Sequence, residues 1–440
     1  MSGTGTPATI DRVQEYVISE LDSGARVISE RVESVRSVSL GFWIGAGSRD
    51  ESEANTGVSH FIEHLLFKGS SRYTAQTIAE VFDGLGGELN AATSREHTVV
   101  YARVPDAHLA TALDVMADMV FAPALAELDA EREVVLEEIA MVEDAPQDLV
   151  HDLVSEAVFG DHPLGRPVIG TAQVISSISR EDIAGYHDSM YLGGNIVVAA
   201  AGNLEHADLL GLLERAGGSG ERRARPVRPL LVAPPPPRLR FARKDTEQYH
   251  VCLGAPGISR SDRRRFAASI LDAILGGSAS SRLFQEIREQ RGMAYAVYSF
   301  GSQYTDTGLM GAYVGTREEN LGPCLEIMAE QVGDIASGNV RPDELERAKE
   351  NLKGRLMLSL ESTSNRMSRL GRSLITETEL LTFERLIEEI DAVEAAVVAE
   401  LAALLLAPEH VSVAGIGPSE EHFREAVARV NPELVLPAAA

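Results

Sequence analysis

Val38-Ser-Leu-Gly41 and Val251-Cys-Leu-Gly254 stand 213 positions apart, and Asn195-Ile-Val-Val-Ala-Ala-Ala-Gly202 and His410-Val-Ser-Val-Ala-Gly-Ile-Gly417 stand 215 apart. Each is a short apolar run of the kind that forms a strand. One such match between apolar strands arises easily by chance; two at nearly the same offset point to a duplicated unit. Between the copies, Arg222 to Arg240 carries Pro226, Pro229 and the run Pro234 to Pro237. Consecutive prolines favour an extended polyproline segment that joins neither a helix nor an inner strand. The expected organisation is a first domain over 1–225, a Pro-rich linker over 226–240 and a second copy over 241–440. In the first copy, Val35–Ala46 and Thr98–Val104 read as strands. His108–Val120 and Glu127–Glu143 carry apolar residues at helical spacing. The elements do not alternate as steadily as in a parallel doubly wound sheet. The fold class is therefore α+β: two similar tandem domains, each a mainly antiparallel sheet with helices packed on one face.

The 440 residues hold 40 basic and 66 acidic side chains, a formal charge of −26, and are 44% hydrophobic. That length and apolar content support two or more real cores. Such an acidic chain argues against nucleic-acid binding, which needs clustered Lys and Arg. No run approaches the roughly 18–20 apolar residues that span a bilayer. Met1–Val17 lacks a basic patch followed by an apolar stretch, so a cytoplasmic protein without a signal peptide is expected. Cys252 and Cys324 are too few for a disulfide framework and read as small core residues.

The chemical signal is Gly57-Val-Ser-His60-Phe-Ile-Glu63-His64-Leu-Leu-Phe67. On a helix, positions i, i+3 and i+4 share a face, so His60, Glu63 and His64 point the same way. Two imidazoles one turn apart can both reach a tetrahedral zinc ion, and Glu63 projects where a carboxylate can take a proton from metal-bound water. Val58, Phe61, Ile62, Leu65, Leu66 and Phe67 would bury the rest of the helix, and ionisable groups are costly there unless paired or metal-bound. At this chain's His and acid content, a random His-x-x-acid-His is expected only about 0.04 times.

A zinc site needs a third ligand. Glu131-Arg-Glu-Val-Val-Leu-Glu-Glu138-Ile-Ala-Met-Val-Glu143-Asp144 offers many carboxylates, which a step of about 100° per residue sorts. Glu138 falls on an arc with Val134, Val135, Met141 and Val142, with Glu131 two turns away. Glu133, Glu137 and Asp144 fall on a polar side that suits a solvated face. The phase selects Glu138 as the third ligand and Glu131 as support that orients the ligands.

With these residues in place, the chain resembles the pitrilysin family of zinc metallopeptidases, whose His-x-x-Glu-His inverts the commoner zinc-protease motif. It is most similar to the mitochondrial-processing-peptidase-like bacterial proteases. The resemblance implies Zn²⁺ as cofactor and unfolded peptides or presequence-like segments as substrates. It also implies a closed dimeric chamber, because one chain of this length supplies half of the family's clamshell. It assigns Asn90 and Ala91, in Gly86-Gly-Glu-Leu-Asn90-Ala91, to an edge strand that holds the substrate backbone. It likewise matches Arg288 and Tyr295 to a pair that approaches the zinc from the opposing half and steadies the oxyanion. By their residue types alone, Asn90 is a turn residue, Arg288 a solvated helix residue and Tyr295 a packed strand residue. The loop from Gly276-Gly277 lacks the Lys-Ser/Thr of a phosphate cradle. Nothing in the second copy reproduces the histidine motif, so that copy is expected to bind substrate without its own metal. The remaining histidines, including His97, His108, His151, His162 and His250, have no mutual ligand spacing and are expected at the surface or hydrogen-bonded. Two other readings stand beside the homodimeric enzyme: a non-catalytic scaffold of the same fold, and a catalytic subunit that needs a zinc-free heteropartner.

Overall fold

A computed structural model describes residues 16–217, 223–228, 230–231 and 233–435. Residues 1–15, where no targeting segment is expected, and Pro229 of the linker lie outside the described residues.

Two sheets organise the chain. In the first, β1 (Val17–Glu20), β2 (Arg26–Arg31), β3 (Ser37–Ile44), β4 (Glu88–Thr93), β5 (Thr98–Pro105) and β6 (Ile196–Gly202) stand in the order β1-β2-β6-β3-β5-β4. In the second, β7 (Leu239–Arg243), β8 (Tyr249–Gly257), β9 (Ala294–Gln303), β10 (Gly308–Thr316) and β11 (Ser412–Gly417) stand in the order β7-β11-β8-β10-β9. Apart from β1 the orders correspond, and each sheet has one parallel pair, β2 with β6 and β7 with β11. The two matched strands of the sequence are β3 and β8, and their matched neighbours are β6 and β11. Val38 faces Gly202, whereas its counterpart Val251 faces Gly415, two residues short of Gly417. A slip of two keeps the same side chains on the same face. β7 begins inside the expected linker, and the described part of the linker before it forms no helix or strand.

Helices cover one face of each sheet, as expected, and each core forms there. Val38, Leu40, Phe42 and Ile44 point into the first core. Val251 and Ala255 point into the second. The alternate residues explain what the sequence left unread: each sheet's other face is covered by a helix from the opposite half. Helix Pro146–Phe159 sends Val150, Val154 and Val158 against Cys252, Tyr313 and Ile416. Reciprocally, helix Thr363–Ile375 sends Met367, Leu370 and Ile375 against Trp43, Val197 and Ala199. The glycine shared by the two matched motifs is where these helices cross. A Cβ on Gly41 would stand 2.6 Å from the Met367 sulfur, and one on Gly254 would stand 2.6 Å from a Val154 methyl. The exchange ties the halves into one packed body.

A buried ionic hub closes the same junction. Arg49, on the first half, bonds Glu96 at 2.8 Å and Asp306, on the second half, at 2.7 Å. Arg260 also reaches Glu96, at 3.1 Å, and the linker's Arg228 bonds Asp50 at 2.7 Å. Cys252 and Cys324 are buried and free. Among the described residues, no helix is long and apolar enough to cross a membrane.

Candidate metal centre

Helix Val58–Leu66 carries the histidines, and its burial follows the sequence closely: Val58, Phe61, Ile62, Leu65 and Leu66 are fully enclosed. Its start is fixed at three points. Gly57 has φ of +92°, and a Cβ there would meet the Gly170 backbone at 2.7 Å. The Ser59 hydroxyl bonds the Tyr186 hydroxyl at 3.0 Å. The Glu51 carboxylate accepts from the backbone N–H groups of Gly57 and Ser59 at 2.7 and 2.8 Å. Burial pushes Glu51 up to about 7 despite those two bonds. Glu51→Ala would strand both helix-start donors in a dry site, so unfolding by urea is expected to show a loss of about 1–3 kcal/mol. A stability within a few tenths of wild type would refute the capping role.

The helix Leu128–Asp144 lies against the histidine helix. Its inward stripe runs through Glu131, Val135 and Ile139, which are buried. Val134 and Met141, expected on the inward arc, point outward at 45% and 64% exposed. The arc was centred on Glu138, but Glu138 stands at the stripe's edge, half-exposed, so side chains on its far side reach solvent.

At that edge the structure brings His60, His64 and Glu138 together, with one potential donor atom from each within 4.8 Å of the others. His64 Nε2 lies 3.4 Å and His60 Nε2 lies 3.7 Å from Glu138 Oε2. Two donors each about 2.0–2.1 Å from a tetrahedral ion stand roughly 3.4 Å apart, so the spacing fits zinc. Tautomer supports the fit. Glu131 is held by Lys68 Nζ at 2.6 Å and receives His64 Nδ1 at 2.9 Å. A carboxylate only accepts, so His64 Nδ1 donates, and in the neutral ring the Nε2 lone pair faces Glu138. Burial, then the neighbouring His64, pushes His60 down to about 4, leaving it a neutral imidazole near pH 7.

Glu63 points beside the cluster and accepts a bond from the Thr93 hydroxyl at the end of β4. Burial raises the Glu63 pKa against the opposing pull of Thr93 and His64. Lys68 and Thr93 were not read from the sequence. Lys68 was within reach, four residues after His64 and thus one turn along; Thr93 acquires its place only through strand pairing.

β4 is the outer strand of its sheet. Asn90 is exposed there, and its side-chain oxygen accepts the Ala91 N–H at 2.8 Å, while the Ala91 side chain packs against the core. Arg288 and Tyr295 do come together with one another. The guanidinium lies 4.3 Å from the Tyr295 ring centroid and donates to the Tyr295 carbonyl at 3.0 Å. Among the described residues the pair makes no hydrogen bond, ion pair or ring contact with His60, Glu63, His64 or Glu138 in the same chain, and Tyr295 is 78% exposed. No second cluster of three potential metal ligands occurs among the described residues. His151 and His250 bond tyrosine hydroxyls, as expected of spare histidines. His97 departs from that expectation: it packs against Trp43, and its Nδ1 is buried without a partner.

Two tandem α+β domains around a His-x-x-Glu-His helix define a class, and comparison gives its name. Residues 26–172 match the family model described as Insulinase (Peptidase family M16), and residues 177–352 match the Peptidase M16 inactive domain. The chain belongs to peptidase family M16. It is 41% identical over 400 residues to YmxG of Bacillus subtilis, named an uncharacterized zinc protease, covering 90% of this chain and 97% of that protein. It is 40% identical over 382 residues to an uncharacterized zinc protease of Streptomyces coelicolor, covering 85% of this chain and 83% of the relative. Among solved structures, a peptidase M16 inactive domain from Pseudomonas fluorescens has the same fold. Its TM-score is 0.86 at 22% identity, covering 92% of this chain and 99% of that one. A protease from Helicobacter pylori gives 0.85 at 21% identity, covering 92% and 100%.

Proposed function

We propose that this chain is a zinc-dependent endopeptidase in which His60, His64 and Glu138 hold the ion and Glu63 moves the proton. The observation that carries this reading is the convergence of those three donors beside the half-buried Glu63 carboxylate. Zinc, when bound, supplies a Lewis acid that makes a bound water nucleophilic near pH 7 and polarises the scissile carbonyl. Glu131 orients His64, and Lys68 balances the charge of Glu131. Thr93 holds one Glu63 oxygen, leaving the other to take a proton from the attacking water and pass it to the departing amine nitrogen. The open edge of β4 at Asn90 and Ala91 receives the substrate as an added strand, which recognises an unfolded peptide through its backbone.

Arg288 and Tyr295 make no hydrogen bond, ion pair or ring contact with the centre of their own chain among the described residues. They serve the centre of a second copy across a closed homodimeric chamber, where they steady the oxyanion. Domain roles follow: 1–225 catalytic, 241–440 substrate-binding, with 226–240 linking them. Mixing Glu63→Gln protein with Arg288→Ala protein tests the arrangement. Mixed dimers are expected to regain up to about one active centre in two against the inactive parents; no recovery after verified subunit exchange would contradict action in trans. A heteropartner in place of the second copy would show as a monomer without peptidase activity when the chain is expressed alone. A non-catalytic scaffold would show as a protein without zinc.

A further inference from the structure

A cavity of about 870 Å³ opens between the two halves next to the centre: Thr93, the hydroxyl partner of Glu63, lies on its wall. Its charge is opposite to that of the chain. Across a protein of net charge −26, the wall collects four arginines, Arg95, Arg260, Arg355 and Arg372, against two acids, Glu96 and Asp272.

Those charges are not equally committed. Arg260 is spent on Glu96 and on the Gln303 carbonyl, and Arg95 on the Leu164 carbonyl and the Ser155 hydroxyl. Glu96 is enclosed by arginines, and Asp272 accepts from Ser299 at 2.6 Å. Arg355 hydrogen-bonds only the Gly277 carbonyl, at 3.3 Å, and lies near enough to Asp272 for its charge to favour that carboxylate, without pairing with it. The Arg372 guanidinium finds no hydrogen-bond or carboxylate partner among the described residues, although both it and Arg355 are exposed to the cavity. The unspent charge is felt inside the wall. Burial first, then Arg372 and Arg260, push the neighbouring His97 down to about 3, so His97 adds no charge of its own. A cationic cavity with low-dielectric walls concentrates anions, and a guanidinium presents a fork matched to a carboxylate.

We propose that this cavity is a carboxylate-binding subsite, in which Arg372 and Arg355 hold an acidic group of a peptide engaged at the histidine–glutamate centre. It deepens the peptidase reading and rests on it. The acidic group is either an Asp or Glu side chain or the peptide's C-terminal carboxylate, and the selection runs opposite to the basic peptides that an acidic chain would attract on total charge alone.

Calorimetric titration tests it on zinc-loaded, full-length Glu63→Gln protein, which retains peptide without cutting it. The ligands are unfolded peptides identical except for Glu, Gln or Lys at each position in turn, each with a free or an amidated C-terminus. Tighter binding of a Glu peptide than of its Gln twin, by about tenfold at low salt and shrinking as salt rises, identifies the side chain as the source. The same gain on going from amide to free terminus identifies the terminus instead. Adding Arg372→Glu is expected to abolish the gain and favour the Lys peptide, and Arg372→Ala to abolish it without reversal. Because Arg372 is exposed and unpaired among the described residues, neither change removes a hydrogen bond or an ion pair. Equal affinity for all peptides, no binding of any, or a preference that survives Arg372→Glu would overturn the subsite. Hydrolysis by the zinc-loaded wild type is scored separately. Charge-selective binding without hydrolysis would sink the peptidase reading and keep the subsite, and unselective hydrolysis would do the reverse.

Discussion

Glu63→Gln is expected to fold, to keep its metal, and to lower kcat on an unfolded peptide by roughly 10²–10⁴-fold, the usual range for removing a positioned general base. The reason is local. Gln is nearly isosteric, so its oxygen can still take the Thr93 hydroxyl bond, and the helix Val58–Leu66 is held by other contacts: Glu51 at its start and five enclosed aliphatic and aromatic side chains along its length. Only proton transfer is lost. Burial already raises the Glu63 pKa, which brings the carboxylate closer to the neutral range where a base both holds and releases a proton. Activity and zinc content measured on the same sample decide the point. Activity within tenfold of wild type would remove Glu63 from its role, and loss of the metal along with activity would make the substitution uninformative about proton transfer while pointing to Glu63 as a ligand.

The second large effect falls on stability. Glu96→Ala is expected to cost about 3–5 kcal/mol, because removing one partner from a buried ionic cluster leaves the others uncompensated. Glu96 has 2% of its side chain exposed and Arg49 1%. Its oxygens take Arg49, Arg260 and the Thr305 N–H at 2.8, 3.1 and 3.0 Å, with Arg228 at 3.5 Å. Burial works to raise its pKa, but Arg228, Thr305, Arg260 and Arg49 together outweigh it and hold Glu96 below the usual glutamate range. A depressed carboxylate contributes stability above its unfolded pKa and loses it as pH falls through the folded value. The cost of the substitution should therefore be full near pH 7 and shrink as the solution is acidified below the ordinary range near 4.5. Denaturant unfolding at several pH values measures this. A cost under 1 kcal/mol, or one that grows on acidification, would contradict it.

Much of this was legible in the sequence, for identifiable reasons. The repeat was visible because strand cores admit few residue types, and Val-x-Leu-Gly recurs where β3 and β8 occupy the same place in their sheets. His60, Glu63 and His64 were visible because a single helical turn fixes their relation without any knowledge of the fold. Glu138 needed helical phase, which chose the carboxylate that the structure brings to the two histidines while misplacing the boundary: Val134 and Met141 lie outside the stripe. A few aliphatic side chains on an acidic helix carry too little periodicity to locate an edge to better than one position. What stayed hidden depends on long-range pairing. The exchange of helices Pro146–Phe159 and Thr363–Ile375 leaves only a glycine at each crossing as its trace, and a lone glycine in a strand has several explanations. Thr93, Arg49 and Arg372 owe their positions to segments far away in the chain, so no local pattern marks them.

Zinc content, determined by mass spectrometry on protein dialysed against metal-free buffer after loading, addresses the assignment of His60, His64 and Glu138 most directly. Wild type and Glu63→Gln are expected to retain about one zinc per chain, and His60→Ala, His64→Ala and Glu138→Ala each to retain little. A full equivalent of zinc in His64→Ala or Glu138→Ala, or none in the wild type, would contradict it.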